Sequence, residues 1–119
     1  MPYITPKRKK QLAEGALPRD GGDLNYLFTK RILKGGEINK FMFLDIFNEF
    51  WARHSRYNQG INVIGGAVVN CAMEFAGRGR FNKYRQALQT MADAYDEWYR
   101  AVARAYEDKK IQKNGDVFE

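Results

Sequence analysis

Residues 81–113 read FNKYRQALQTMADAYDEWYRAVARAYEDKKIQK. Phe81, Tyr84, Leu88, Met91, Tyr95, Trp98, Val102 and Ala105 recur in them with steps of 3, 4, 3, 4, 3, 4 and 3. That spacing gathers apolar side chains on one side of an α-helix and on neither face of a strand. Opposite charges four residues apart, Asp96 with Arg100 and Arg104 with Asp108, support the same register. Lys109, Lys110 and Lys113 suit the negative end of the helix, and Asn114-Gly115 supplies its stop. Such a helix is roughly 50 Å long, more than a domain of 119 residues needs across its core. Part of it is therefore expected to project, to kink near Thr90, or to pack on another chain. A homodimer is the simplest closure, because two-fold symmetry lets Tyr95, Trp98, Tyr99, Val102 and Tyr106 cover their own copy.

Upstream, the chain divides into further helical segments. Thr5-Pro6 is an N-cap and first-turn pair, so a short basic helix is expected over residues 6–14, stopped by Gly15. Residues 16–22, with Pro18 and two adjacent glycines, read as a surface loop. Leu24, Leu27, Phe28 and Ile32 follow at helical spacing, from an acidic start at Asp23 to Gly35-Gly36. Residues 38–51 are apolar almost all round, as a buried helix is. In residues 61–76, Gly65, Gly66, Ala67, Ala72 and Ala76 leave room for a neighbour's close approach, which suits a central helix. Val63, Val68 and Val69 keep a strand open there. Residues 77–80 form a basic hinge. The expected fold is all-α: one domain over residues 1–119, a bundle of about five helices with a long C-terminal member.

Composition narrows the function classes. Hydrophobic residues make up 45%, aromatics 14% and charged residues 29%, the balance of a folded domain. Twenty Lys and Arg against fourteen Asp and Glu give a net charge of +6, which permits a polyanionic partner. One cysteine, Cys71, and one histidine, His54, rule out an intramolecular disulfide and a zinc cluster. Neither a P-loop, nor a GxGxxG turn, nor an HExxH pair is present, so no cofactor, metal or catalytic residue is expected. No signal-peptide pattern opens the sequence. Asn62, Asn70 and Glu74 interrupt residues 61–76, which fall short of the ~20 residues of a membrane span. A cytoplasmic protein with reduced Cys71 is the expectation.

Two pieces resemble a family of small uncharacterised proteins associated with phages, prophages and bacterial genomes. One is Gly22-Asp23-Leu24-Asn25-Tyr26 with Thr29 one turn later. The other is Tyr106-Glu107-Asp108-Lys109-Lys110-Ile111-Gln112-Lys113-Asn114-Gly115-Asp116-Val117-Phe118. Between them, Ile61-Asn62-Val63-Ile64-Gly65 and residues 95–102 are similar to the family's asparagine-glycine and tyrosine-arginine helices. Residues 78–91 look like extra sequence, and Phe118 stands where a tyrosine is expected. The resemblance implies a phage-related cytoplasmic protein and a shared fold, and carries no activity with it.

Two surfaces are candidates for binding. Tyr106, Glu107, Lys110, Asn114 and Asp116 offer donors and acceptors for a partner, against the plainer reading of a C-cap that fastens the tail. Arg78, Arg80, Lys83 and Arg85, interleaved with Phe81 and Tyr84 and extended by Lys7, Arg8, Lys9 and Lys10, are the nucleic-acid candidate. Its plainer reading puts the rings in the core and the cations in solvent. Asp93, Asp96 and Glu97 are expected in salt bridges, His54 at a helix end and Cys71 in the core. Glu74 is expected to pair with Arg100. The function expected is non-catalytic binding of a host or phage macromolecule, with an anti-defence role as a subsidiary expectation. A nucleic-acid or nucleotide binder is the alternative.

Overall fold

A computed structural model describes residues 4–54 and 59–115. In chain order its helices are α1 (Pro6–Ala13), α2 (Gly21–Lys34), α3 (Lys40–His54), α4 (Gln59–Gly77) and α5 (Arg85–Asn114). All regular structure among the described residues is helical, so the expected all-α bundle with a long last helix is what forms. The strand alternative for residues 61–76 falls, because α4 buries Ile64, Ala67, Val68, Cys71 and Phe75 at a helical period.

Local chemistry sets most boundaries. Thr5 Oγ1 accepts the Arg8 amide at 3.1 Å and caps α1. Asp20 caps α2 by accepting the amide of Asp23 at 2.9 Å. This starts the helix two residues before the acidic start expected at Asp23, because a carboxylate cap offsets the poor helical propensity of Gly21 and Gly22. Gly35, at φ 73°, ends α2. The largest departure is at α5, which starts at Arg85 and leaves Phe81 in the preceding turns, 42% exposed.

α4 is the central element: α2 packs chiefly on α4, α3 packs chiefly on α5, and α4 meets both α3 and α5. The core gathers on the aromatic rings of α3. Phe47 meets Phe28 edge-on at 5.5 Å, Tyr95 at 6.1 Å and Trp98 at 5.8 Å, separations at which ring quadrupoles attract. The α5 stripe is buried at Leu88, Met91 and Trp98, half-buried at Tyr84, Tyr95 and Val102, and exposed at Ala105. A straight helix drifts by ~20° per heptad, so the stripe leaves its partners at both ends. At ~45 Å for 30 residues, α5 spans nearly the whole 48 Å long axis. Beyond Ala103 only Tyr106 among its described residues is even half-buried. The last three turns thus project.

α4 also contains Gly60–Gly77, with a mean hydropathy of 1.2, which by length and composition alone is long and apolar enough to cross a membrane. This differs from the expectation for residues 61–76. One third of that window is buried against the other helices.

Candidate functional site

Two surface depressions collect the residues singled out in the sequence. The first is a groove between α4 and the second half of α5. Gly65 gives α4 a bare backbone where Tyr95 crosses it: a Cβ there would lie 2.6 Å from the Tyr95 hydroxyl. Tyr99 follows at 5.9 Å from Tyr95, then Ala103, Tyr106, Glu107 and Lys110, with Ile61 and Asn62 on the opposite wall. The Lys110 ammonium sits 5.2 Å from the centre of the Tyr106 ring, within the range of a cation–π contact. Tyr99 is 40% exposed. Burial, and then the neighbouring Tyr99, push the Tyr95 hydroxyl above the ordinary phenol range.

Three of the five expected partner residues, Tyr106, Glu107 and Lys110, therefore line one surface. Asn114 is exposed at the end of α5, where the Gly115 amide donates to the Ile111 carbonyl at 2.8 Å. That bond is the helix stop of the plainer reading. Asp116 lies outside the described residues. The segments resembling the asparagine-glycine and tyrosine-arginine helices prove to be the two walls. Tyr95 was legible as a stripe residue, and Tyr95 and Tyr99 as part of a self-association patch and of the segment resembling the tyrosine-arginine helix, but neither as lining a groove against α4. The adjacent glycines of α4 were the signal that a ring would lie there.

Gly65→Ala tests this geometry. The added methyl must displace the Tyr95 ring, at a cost of about 1 kcal/mol. Because alanine returns about 1 kcal/mol of helical propensity over glycine, the expected result is an altered near-ultraviolet tyrosine signal with little change in the urea midpoint.

The second depression is basic. Lys9 from α1, Lys30 and Tyr26 from α2, Glu74 near the end of α4, and Arg78 and Arg80 just beyond it line a pocket of about 210 Å³, floored by Phe75 and Leu33. The ammonium groups of Lys9 and Lys30 each lie 5.8 Å from the centre of the Tyr26 ring. Three of the eight expected nucleic-acid residues, Lys9, Arg78 and Arg80, converge here, joined by Lys30, which the sequence did not single out, and by Tyr26, quoted there only for the family resemblance. The other five do not join them. Arg8 donates from Nε and Nη2 to Asp23 Oδ2 at 3.0 and 2.7 Å, and from Nη2 to the Leu17 carbonyl at 2.8 Å. Lys7 and Lys10 are exposed outside the pocket. Lys83 and Arg85 line a separate shallow hollow with Gln86, Gln89 and Asp93. Of the two interleaved rings, Tyr84 packs edge-on against Phe75 at 5.1 Å and Phe81 is exposed.

Several of the other polar groups singled out in the sequence have structural partners. Asp93 accepts from Gln89 at 2.9 Å, Asp96 pairs with Arg100 at 3.2 Å and Glu97 with Lys40 at 3.0 Å. The expected pairing of Glu74 with Arg100 is therefore replaced: Arg100 pairs with Asp96, and Glu74 lines the basic pocket. His54 ends α3, its ring stacked on Phe50 at 4.2 Å. Cys71 is fully buried beside Thr29 Oγ1 at 3.5 Å. Burial pushes its thiol up to about 11 against the opposing Thr29 hydrogen bond, so the thiolate that nucleophilic chemistry requires is scarce. Among the described residues no three His, Cys, Asp or Glu side chains cluster as metal ligands do.

A family model described as a domain of unknown function (DUF6899) matches residues 53–117. That span includes all of α4 and α5, and with them both walls of the groove. No curated protein and no solved structure matches the chain.

Proposed function

The chain belongs to the DUF6899 family of domains of unknown function, which brings no activity with it, and we propose that it is a small accessory protein of phage type that acts by non-catalytic binding to a host or phage macromolecule. The observation that carries this reading is the α4/α5 groove. Exposed Tyr99, half-buried Tyr106 and Lys110 line one surface opposite Ile61 and Asn62, and Tyr99 continues it alongside Tyr95, Gly65 and Gly66, within the span the family model matches. Tyrosine supplies large contact area at low conformational cost and a polar tip for orientation, which is why it is enriched in protein interfaces. The phage association and the subsidiary anti-defence role rest on the sequence resemblance. Its place of action in this reading is the cytoplasm, that of the host cell where the protein is phage-encoded. A protein is the preferred partner, and a second copy of the chain is a competing occupant of the groove.

The test is affinity purification from the native or infected cell, with mass spectrometry and nucleic-acid analysis of the eluate, using the wild-type chain and the double variant Tyr99→Ala/Lys110→Glu. A partner retained by the wild type and lost from the variant is the expected result. Identical eluates, with both proteins folded, overturn the reading. Light scattering across a concentration series separates the homodimer, which doubles the mass.

The second reading is a nucleic-acid or nucleotide binder. The specific observation in its favour is the convergence of Lys9, Lys30, Arg78 and Arg80 on one pocket. Affinity that falls steeply with added salt is its signature.

A further inference from the structure

We propose that the basic pocket between α1, α2 and the end of α4 binds one nucleoside phosphate, either a free nucleotide or the end of a single strand. The proposal rests on the second reading above and narrows it from a charged track to one compact site.

Four cations from three parts of the chain face this pocket, and none of them forms a salt bridge with a carboxylate among the described residues. A concentration of unpaired positive charge in a concave, partly apolar surface focuses the field on an anion. Lys9 and Lys30 each place an ammonium 5.8 Å from the centre of the Tyr26 ring, so one ring neighbours both cations. Such cation–π contacts reduce the ordering cost when an anion arrives. Arg78 and Arg80 add guanidinium forks that match phosphate oxygens in pairs.

The other groups in the pocket select the ligand. Glu74 is half-buried among these cations and would repel a bare anion. It suits a ligand that presents phosphate to the cations and a hydroxyl or amino hydrogen to a carboxylate, as a ribose or a nucleobase does. Phe75 and Leu33 provide an apolar floor for the body of such a ligand. The volume, about 210 Å³, is below the ~300–1,000 Å³ of sites that enclose a drug-sized molecule. One nucleotide seated by its phosphate and sugar edge fits that size.

Titration calorimetry at low salt tests the assignment with three probes: a 5′-mononucleotide, a single-stranded oligonucleotide carrying a 5′-phosphate, and inorganic phosphate. Saturable one-to-one binding is expected for the first or the second, and the arm that binds more tightly identifies the source. Arg78→Ala/Arg80→Ala is expected to weaken it by about tenfold or more, and to lower the salt slope of the oligonucleotide by about 0.7 per lost phosphate contact. Lys83→Ala/Arg85→Ala, on the separate hollow, leaves it unchanged. Inorganic phosphate binding as tightly as either nucleoside phosphate overturns the proposal. So does nucleic-acid binding that is indifferent to Arg78 and Arg80 yet sensitive to Lys83 and Arg85, although a nucleic-acid reading then survives. Absence of binding in both nucleotide arms, with the variants folded, removes the site and the second reading together. The groove reading is probed by Tyr99 and Lys110 and is untouched by either outcome.

Discussion

Trp98→Ala is expected to lower the stability of the fold by about 3–5 kcal/mol, the range for deleting a large buried aromatic side chain. Trp98 is 2% exposed and lies between Phe47 at 5.8 Å, Trp51 at 5.9 Å and Tyr95 at 6.0 Å. Truncation therefore loses apolar burial and leaves a cavity at the junction of α3 and α5, the pairing that holds the long helix to the bundle. Against a total stability of ~5–15 kcal/mol for a domain, a loss of this size leaves a large unfolded fraction near physiological temperature. Urea unfolding followed by far-ultraviolet dichroism measures it. An unchanged midpoint overturns the packing described for Trp98. Trp98→Phe is expected to retain most of the stability, because it keeps a ring in the cluster and removes an indole N–H that has no hydrogen-bond partner among the described residues.

The second large effect is expected at Asp23, which no functional reading of the sequence singled out. Its carboxylate is 2% exposed and accepts from Arg8 Nε and Nη2 and from the Arg19 amide at 2.9 Å. Through Arg8 it ties together α1, the loop at Leu17 and α2. Apart from this pair, only Leu12 buries α1, so Asp23→Ala should release α1 from α2 rather than unfold the bundle. Breaking a deeply buried ion pair costs ~3–5 kcal/mol. Arg8 can regain water here, since its side chain is already 11% exposed. About 2 kcal/mol is the expected loss, read as faster hydrogen exchange of the α1 amides with little change in α5. Because α1 carries Lys9, the same variant is expected to weaken nucleotide binding.

Acid should reproduce this release. Burial raises the carboxyl of Asp23, but the hydrogen bonds from Arg8 and Arg19 and the charge of Arg8 outweigh it and hold the group below its ordinary value of 3.8. The folded state thus binds this proton less readily than the unfolded state. Its contribution is complete above the ordinary value and is lost as pH falls through the lower folded value. The stability difference between wild type and Asp23→Asn is expected to be constant near neutrality and to shrink below about pH 4. A difference that grows on acidification contradicts the ion pair.

Sequence alone determined the features that depend on neighbours along the chain. The 3-4 spacing from Leu88 to Trp98, the Thr5-Pro6 start of α1, the Gly35 stop and the Asp96–Arg100 pair are all settled within two helical turns, where contacts follow from spacing. The number and order of helices, and the buried state of Trp98 and Cys71, were legible for the same reason. Tertiary structure decided what depends on residues distant in sequence. Arg8 belongs to a basic run of four, and nothing in that run distinguishes it from Lys9; only the placement of α1 across α2 turns one inward to Asp23 and the other outward to Tyr26. Lys30 and Arg78 are 48 positions apart, and only the packing of α2 on α4 makes them neighbours. The groove arises likewise, because Gly65 becomes a seat for Tyr95 only when α5 crosses α4. A repeating pattern reports which side of a helix is apolar, but which helix covers it, and where the cover ends, follows from close packing of the whole chain.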